Sequence, residues 1–243
     1  MAINKVNRNG PPGGPRRRDP RSWPESSLLG GLAPPAREIL LSAGGQVHYE
    51  PGRVLMREAD KTAFVLVLLH GMVKATSASR DGHDVLLAVR MGGDLIGEFS
   101  AVDGQPRSAT VTACGPVVAR MLNRYEFLDC MGRDPRIAQA VTASVVSQLR
   151  TANSYRVDFT GCDAATRVAR VLCQFAKAYG RRVEDSTLID WPITQLELAS
   201  LCGAAEPTVH KALRALRKSG VISTGYRSIT IQNLPELRRT AFE

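Results

Sequence analysis

The 243-residue sequence is poor in aromatic residues, 5% in all, and has no long hydrophobic run. Its longest uninterrupted apolar stretch, Ala63 to Leu69, is far short of the roughly 20 residues that a membrane-spanning helix needs. The N-terminus also lacks the apolar core of a secretory signal, so a soluble, cytoplasmic protein with no membrane partner is expected. The five cysteines (Cys114, Cys130, Cys162, Cys173, Cys202) are odd in number and form no C-x-x-C pair. That spacing excludes a disulfide framework and a zinc site and fits reduced thiols packed as small hydrophobes. No Ser/His/Asp elbow, H-E-x-x-H or P-loop is present, and the four histidines form no acid–base constellation, which argues against an enzyme. With aromatics scarce, a core of Val, Leu, Ile and Ala is expected.

What is abundant is positive charge. Lys and Arg number 32 against 23 Asp and Glu, a net charge of +9. The excess is uneven: +4 falls in residues 1–30, none in 31–164 and +5 in 165–243. A neutral middle flanked by two basic segments implies that one part meets a polyanion while another does something else. Residues 1–30, with the glycine- and proline-rich run Gly10 to Pro15 and the cluster Arg16–Arg18, read as a disordered basic arm.

Short apolar or alternating stretches follow: Arg53–Met56, Ala63–Leu69, Met72–Thr76, Val85–Val89, Ala109–Ala113 and Val117–Leu122. Pro51-Gly52, His70-Gly71, Asp81-Gly82 and Gly92-Gly93 supply turn chemistry between them. Many short strands at near-regular spacing predict an antiparallel barrel or jelly roll over residues 31–134. After Asp134-Pro135 the period becomes helical over 135–160, with Pro135 in the favoured first turn. Val145, Leu149, Ala152 and Phe159 form a candidate seam with a second copy, and Ile137 and Val141 a neighbouring stripe; packing of the stripe on the barrel of its own chain is the alternative.

The segment 161–243 reads as a winged helix-turn-helix. Asp163 caps a helix with a face of Val168, Val171, Leu172 and Phe175 that stops at Gly180. Thr194 and Glu197 form a T-x-x-E capping box, and Gly203 sits where a tight inter-helix turn needs positive φ. A second helix opens at Pro207, with Val209, Leu213 and Leu216 on one face and polar, cationic residues opposite. Val221 to Ile231 reads as a hairpin wing with Gly225-Tyr226 at its tip. A recognition helix enters the major groove by its N-terminal turns, while the first helix crosses the backbone. The candidate DNA contacts are therefore Thr194 at the start of the first helix and Glu206, Thr208, His210, Lys211 and Arg214 on the second. Lys211 can donate to guanine or phosphate, Thr208 can meet a phosphate or a thymine methyl, and Glu206 can accept from cytosine.

Within the predicted barrel, Gly97-Glu98 is followed nine residues on by Arg107-Ser108-Ala109-Thr110-Val111. A short helix starting at Glu98 aims free backbone N–H groups at an anion; Arg107 can fork onto phosphate oxygens, Ser108 can donate and Glu98 can accept from a hydroxyl. This stretch resembles the phosphate-binding cassette of cyclic-nucleotide-binding domains. With the long helix and the winged helix-turn-helix, residues from about Val47 to Asn233 resemble the Crp/Fnr family of bacterial transcription regulators. The resemblance implies cyclic nucleotide binding at Gly97, Glu98, Arg107, Ser108, Ala109 and Asn153, the last holding the position that contacts the base. Ala152, beside it, replaces the family's threonine. In the second helix, Glu206 stands where the family often has arginine.

The sequence thus predicts an α+β chain with an N-terminal antiparallel β jelly-roll barrel, a long dimerisation helix and a C-terminal winged helix-turn-helix. The expected function is a homodimeric DNA-binding transcription regulator with no tightly bound cofactor, controlled by a cyclic nucleotide such as cyclic AMP. Its expected partners are double-stranded DNA, a second copy and RNA polymerase. The alternatives are the same regulator with a differently liganded or unliganded barrel, in which Glu98 and Arg107 pair with each other, and a nucleotide-binding scaffold that leaves DNA alone. In the first reading, Arg107→Ala removes nucleotide binding and leaves the fold intact.

Overall fold

The computed structural model describes residues 23–79, 82, 84–190, 194–225 and 227–243. The Arg16–Arg18 cluster, Asp81 of the expected turn and Tyr226 of the expected wing tip lie outside the described residues. Two short helices come first: α1 (Leu28–Gly31), whose N-cap Ser27 accepts from the Gly30 N–H, and α2 (Pro34–Ser42). Strands β1 (Gly45–Tyr49), β2 (Val54–Met56), β3 (Val65–His70), β4 (Met72–Ala78), β5 (Asp84–Met91) and β6 (Leu95–Ile96) lead to α3 (Glu98–Asp103). Strands β7 (Thr110–Ala113) and β8 (Val117–Leu122) lead on to α4 (Arg124–Arg133) and the long α5 (Pro135–Gly161).

These strands form two four-stranded antiparallel sheets, ordered β1-β8-β3-β6 and β2-β7-β4-β5. The period of two along a strand explains why β3 is apolar throughout. Leu66 and Leu68 enter the core between the sheets with Val73, Val111 and Ala119. Val65 and Val67 point the other way, into a second core with Leu29, Leu40, Phe127, Ile137 and Val141 from the helices. Residues 23–30, read from the sequence as the end of a disordered arm, are part of this second core: Leu28 and Leu29 are buried, and the Trp23 Nε1–H donates to the Leu69 carbonyl at 3.0 Å. Leu28 and Leu29 after the Ser27 cap tie this segment down, and so short an apolar run among prolines, serines and glycines does not announce itself in the sequence.

The remaining elements are α6 (Ala164–Tyr179), β9 (Arg181–Val183), β10 (Ser186–Asp190), α7 (Gln195–Cys202), α8 (Glu206–Lys218), β11 (Ile222–Gly225), β12 (Ser228–Ile231) and α9 (Leu234–Phe242). The expected caps are in place: Asp163 accepts from the Thr166 N–H at 2.8 Å, and Thr194 and Glu197 complete their capping box at 3.1 and 2.7 Å. Leu172, Leu198, Val209 and Ile231 are among the fully buried residues of this half; each such side chain contributes about 1.5–3 kcal/mol relative to exposure. The expected two-stranded wing is larger than read: β11-β12 extends into a four-stranded sheet ordered β11-β12-β10-β9. β9 and β10 are three and five residues long and turn at Glu184, a non-glycine residue at φ 52°, so neither length nor turn chemistry announces them.

Of the residues expected to form a seam on α5, Leu149 and Ala152 are exposed. Ile137 and Val141 are buried in the barrel core of their own chain. The outward stripe is Val146, Leu149, Asn153 and Val157, all exposed, whereas Val145 is half-buried. Phe159 has a different neighbour: a Cβ added at Gly203 would meet its ring at 2.7 Å. Phe159 thus packs on the helix-turn-helix of its own chain.

Candidate functional site

The cradle begins where β6 ends. Gly97 caps α3 with φ 86°, and a Cβ there would meet the Arg107 NH1 at 2.6 Å and the Phe64 carbonyl oxygen at 2.8 Å. Only glycine combines this conformation with so close an approach. Having no side chain, it leaves the first-turn N–H groups of α3 without a side-chain cap, in the arrangement that favours an anion.

Arg107 returns to the same place from the loop before β7. Only 4% exposed, it donates from Nε to Thr62 Oγ1 at 3.1 Å, from NH1 to the Gly97 carbonyl at 2.9 Å and from NH2 to the Phe64 carbonyl at 2.6 Å. Its guanidinium lies 4.7 Å from the centroid of the Phe64 ring. Burial pulls its pKa down, while Asp60 and Glu98 push it back up. Three of its five donors are therefore engaged within the chain and two remain for another acceptor. Because the Gly97 and Phe64 carbonyls both accept from it, Arg107 also braces the fold, and Arg107→Ala is expected to cost stability as well as ligand binding.

Glu98 is 6% exposed, and it forms no ion pair with Arg107 within 4.0 Å. Among the described residues, the only hydrogen bond to its carboxylate comes from the Gln148 side-chain amide, at 3.1 Å. An ionised carboxylate offers about four acceptor positions, so a buried one with a single neutral donor has acceptor capacity left for a ligand hydroxyl. Ser108 is exposed and Ala109 half-buried beside Arg107. The structure thus brings Gly97, Glu98, Arg107, Ser108 and Ala109 together. Asn153 does not join them: it is exposed on α5, five residues beyond Gln148, which puts it about 140° around the helix from that side chain. Gln148 itself has no local signature; its role depends on a contact fifty residues away.

The second site is the outer face of α8. Glu206, Thr208, Lys211 and Arg214 are exposed along it, with Lys218 beyond, while Val209, Ala212, Leu213 and Leu216 are buried beneath. His210 is half-buried at the margin of this face. Thr194, exposed at the start of α7, has its hydroxyl committed to the capping box. Arg217 is drawn off toward the wing, donating to Thr224 Oγ1 at 3.2 Å. The face is cationic and polar at the spacing a duplex groove accepts. Among the described residues no group of His, Cys, Asp and Glu is placed to hold a metal ion, and no helix is long and apolar enough to cross a membrane.

Comparison with known proteins agrees with both halves. The cyclic nucleotide-binding domain family matches residues 46–134, and the Crp-like helix-turn-helix domain family matches residues 166–240. A CRP-like cAMP-activated global transcriptional regulator of Mycobacterium tuberculosis is 27% identical over 216 residues, covering 89% of this chain and 96% of that protein. The cyclic AMP receptor protein of Thermus thermophilus is 27% identical over 221 residues, covering 89% and 97%. In fold, the chain resembles FixK2 from Bradyrhizobium japonicum, with a TM-score of 0.71 at 21% identity over 82% of this chain and 97% of that one. With a nucleotide-binding barrel, a long connecting helix and a winged helix-turn-helix in this order, the chain belongs to the Crp/Fnr family of DNA-binding transcription regulators.

Proposed function

We propose that this regulator is a homodimer switched by cyclic AMP. The observation that carries the reading is the buried pair Glu98 and Arg107, which leaves unused acceptors and donors on either side of the uncapped start of α3. Arg107 and Ser108 take the cyclic phosphate, Glu98 takes a ribose hydroxyl, and Gly97 and Ala109 let the phosphate approach the backbone. The names of the M. tuberculosis and T. thermophilus relatives support cyclic AMP as the effector. The outward stripe of α5 supports a second copy as the partner, with Asn153 serving the nucleotide from that face. In this reading residues 31–134 form the effector domain, 135–160 the dimerisation helix and 161–243 the DNA-binding domain. Glu206, Thr208, His210, Lys211 and Arg214 then meet the major groove and Thr194 the backbone, in the cytoplasm and beside RNA polymerase.

Calorimetric titration of the full-length protein with cyclic AMP, cyclic GMP and cyclic dinucleotides tests the effector. Saturable binding of cyclic AMP, lost in Glu98→Gln, is expected. The absence of heat with every one of these ligands overturns the reading.

A further inference from the structure

The reading head is fastened to the barrel of its own chain. β5 is the edge strand of its sheet, and an edge strand presents unpaired N–H and C=O groups. Here the head covers that edge. The Leu86 N–H donates to Ser200 Oγ on α7 at 3.2 Å, and the Val89 carbonyl accepts from the Tyr179 hydroxyl, at the end of α6, at 2.7 Å. On the neighbouring strand Lys74 pairs with Glu197 of α7. Just past the end of β7, beside the start of β4, the Arg227 NH2 of the wing donates to the Cys114 carbonyl at 2.7 Å. Leu86 and Val89 are each 2% exposed because they belong to the apolar core of the head, with Met72 packed against it. α8 takes no part in these polar contacts, and its Thr208, Lys211 and Arg214 stay exposed.

Two features make this junction more than passive packing. Glu197 is shared: one carboxylate oxygen takes Lys74 and the other the Thr194 N–H that opens α7. The strand it adjoins also runs straight to the cradle. β5 ends at Met91, Gly92 and Gly93 turn the chain, and β6 delivers Gly97 and Glu98. Six positions separate Met91 from Gly97, so the cradle and the edge that holds α7 share one short stretch of chain.

We infer that the β4–β5 edge and α7 form a latch within one chain, closed by Lys74–Glu197, Ser200 and Tyr179, through which occupancy of the cradle sets the orientation of α8. The coupling half of this inference rests on the proposed effector reading; the latch itself does not. The test uses full-length protein with Lys74→Met, Glu197→Gln and both together. Glutamine keeps the capping box while removing the charge, so folding of α7 is preserved.

Two readouts are compared: hydrogen exchange of the 84–91 segment, and affinity for a DNA duplex with and without cyclic AMP. Each single variant is expected to raise exchange of β5 roughly fivefold, the factor that a coupling of about 1 kcal/mol gives, with the double variant no worse than either single one. The ratio of DNA affinities with and without cyclic AMP is expected to fall toward one. Unchanged exchange in both single variants overturns the latch. Raised exchange with an unchanged affinity ratio overturns its role in coupling. A wild-type protein whose DNA affinity ignores cyclic AMP overturns the effector reading and the coupling, while exchange in the variants still decides the latch.

Discussion

Replacing Arg107 by alanine separates bracing from ligand binding. The guanidinium supplies the Gly97 and Phe64 carbonyls and the Thr62 hydroxyl and rests on the Phe64 ring. Thr62 can turn to water and the Gly97 carbonyl keeps the Ala101 N–H at 3.4 Å, but the Phe64 carbonyl loses the Arg107 donor, at about 1–3 kcal/mol. Loss of the ring contact adds about 0.5–1 kcal/mol, so the barrel loses about 2 kcal/mol. With a urea slope of about 1–3 kcal/mol/M, the unfolding midpoint falls by roughly 1 M. Cyclic AMP at a hundred times its dissociation constant stabilises the wild type by about 2.7 kcal/mol and is expected to leave the variant unmoved. Arg107→Lys keeps the charge but cannot reach three acceptors at once, and is expected to lie between the two. A variant that loses ligand binding with an unchanged midpoint refutes the bracing argument.

Three further outcomes follow from other sites. Burial lifts the Asp94 carboxyl above its ordinary value, helped by nearby Glu98 and opposed by the Met91 N–H and Arg90. The folded state then holds the proton more tightly than the unfolded one, so stability from this group is full below the ordinary value and is lost as pH rises through the raised one. Asp94→Asn is expected to stabilise the protein at neutral pH and to flatten the fall of its urea midpoints as pH rises above the ordinary carboxylate range; an Asn variant less stable at neutral pH contradicts this. Gly203→Ala places a Cβ 2.7 Å from the Phe159 ring at φ 55° and is expected to cost about 1–3 kcal/mol. Thermal unfolding should show part of that loss recovered by Phe159→Ala. Lys211→Ala is expected to weaken operator binding roughly tenfold, about 1.4 kcal/mol, and an unaltered gel-shift affinity removes it from the contact surface.

Local chemistry was legible in the sequence, and long-range contact was not. The capping box of Thr194 and Glu197 and the positive φ at Gly203 each require particular residue types within a few positions, so their motifs carry them; the left-handed cap at Gly97 was not read from its motif. Strands β3, β4, β5, β7 and β8 declared themselves by apolar runs between turns. β1 and β6 did not, being half-exposed or two residues long, and β9 and β10 were hidden by their brevity. The division of β3 between two cores, the hold of Gln148 on Glu98 and the docking of Phe159 against Gly203 depend on what the fold brings near. Arg107 shows both sides: its motif marked it as an anion ligand, while two of its three inward hydrogen bonds, to Thr62 and Phe64, depend on the conformation of residues over forty positions earlier.

The proposed function rests on control of the α8 face by a small anion in the cradle. Fluorescence anisotropy of the full-length protein on labelled duplex DNA, titrated with and without saturating cyclic AMP at fixed salt, tests it most directly. A several-fold gain in affinity with cyclic AMP is predicted, within the roughly 5–150-fold range of site-to-site coupling, and it should vanish in Glu98→Gln. Identical binding curves with and without the nucleotide, for a protein that calorimetry shows to be saturated, contradict it.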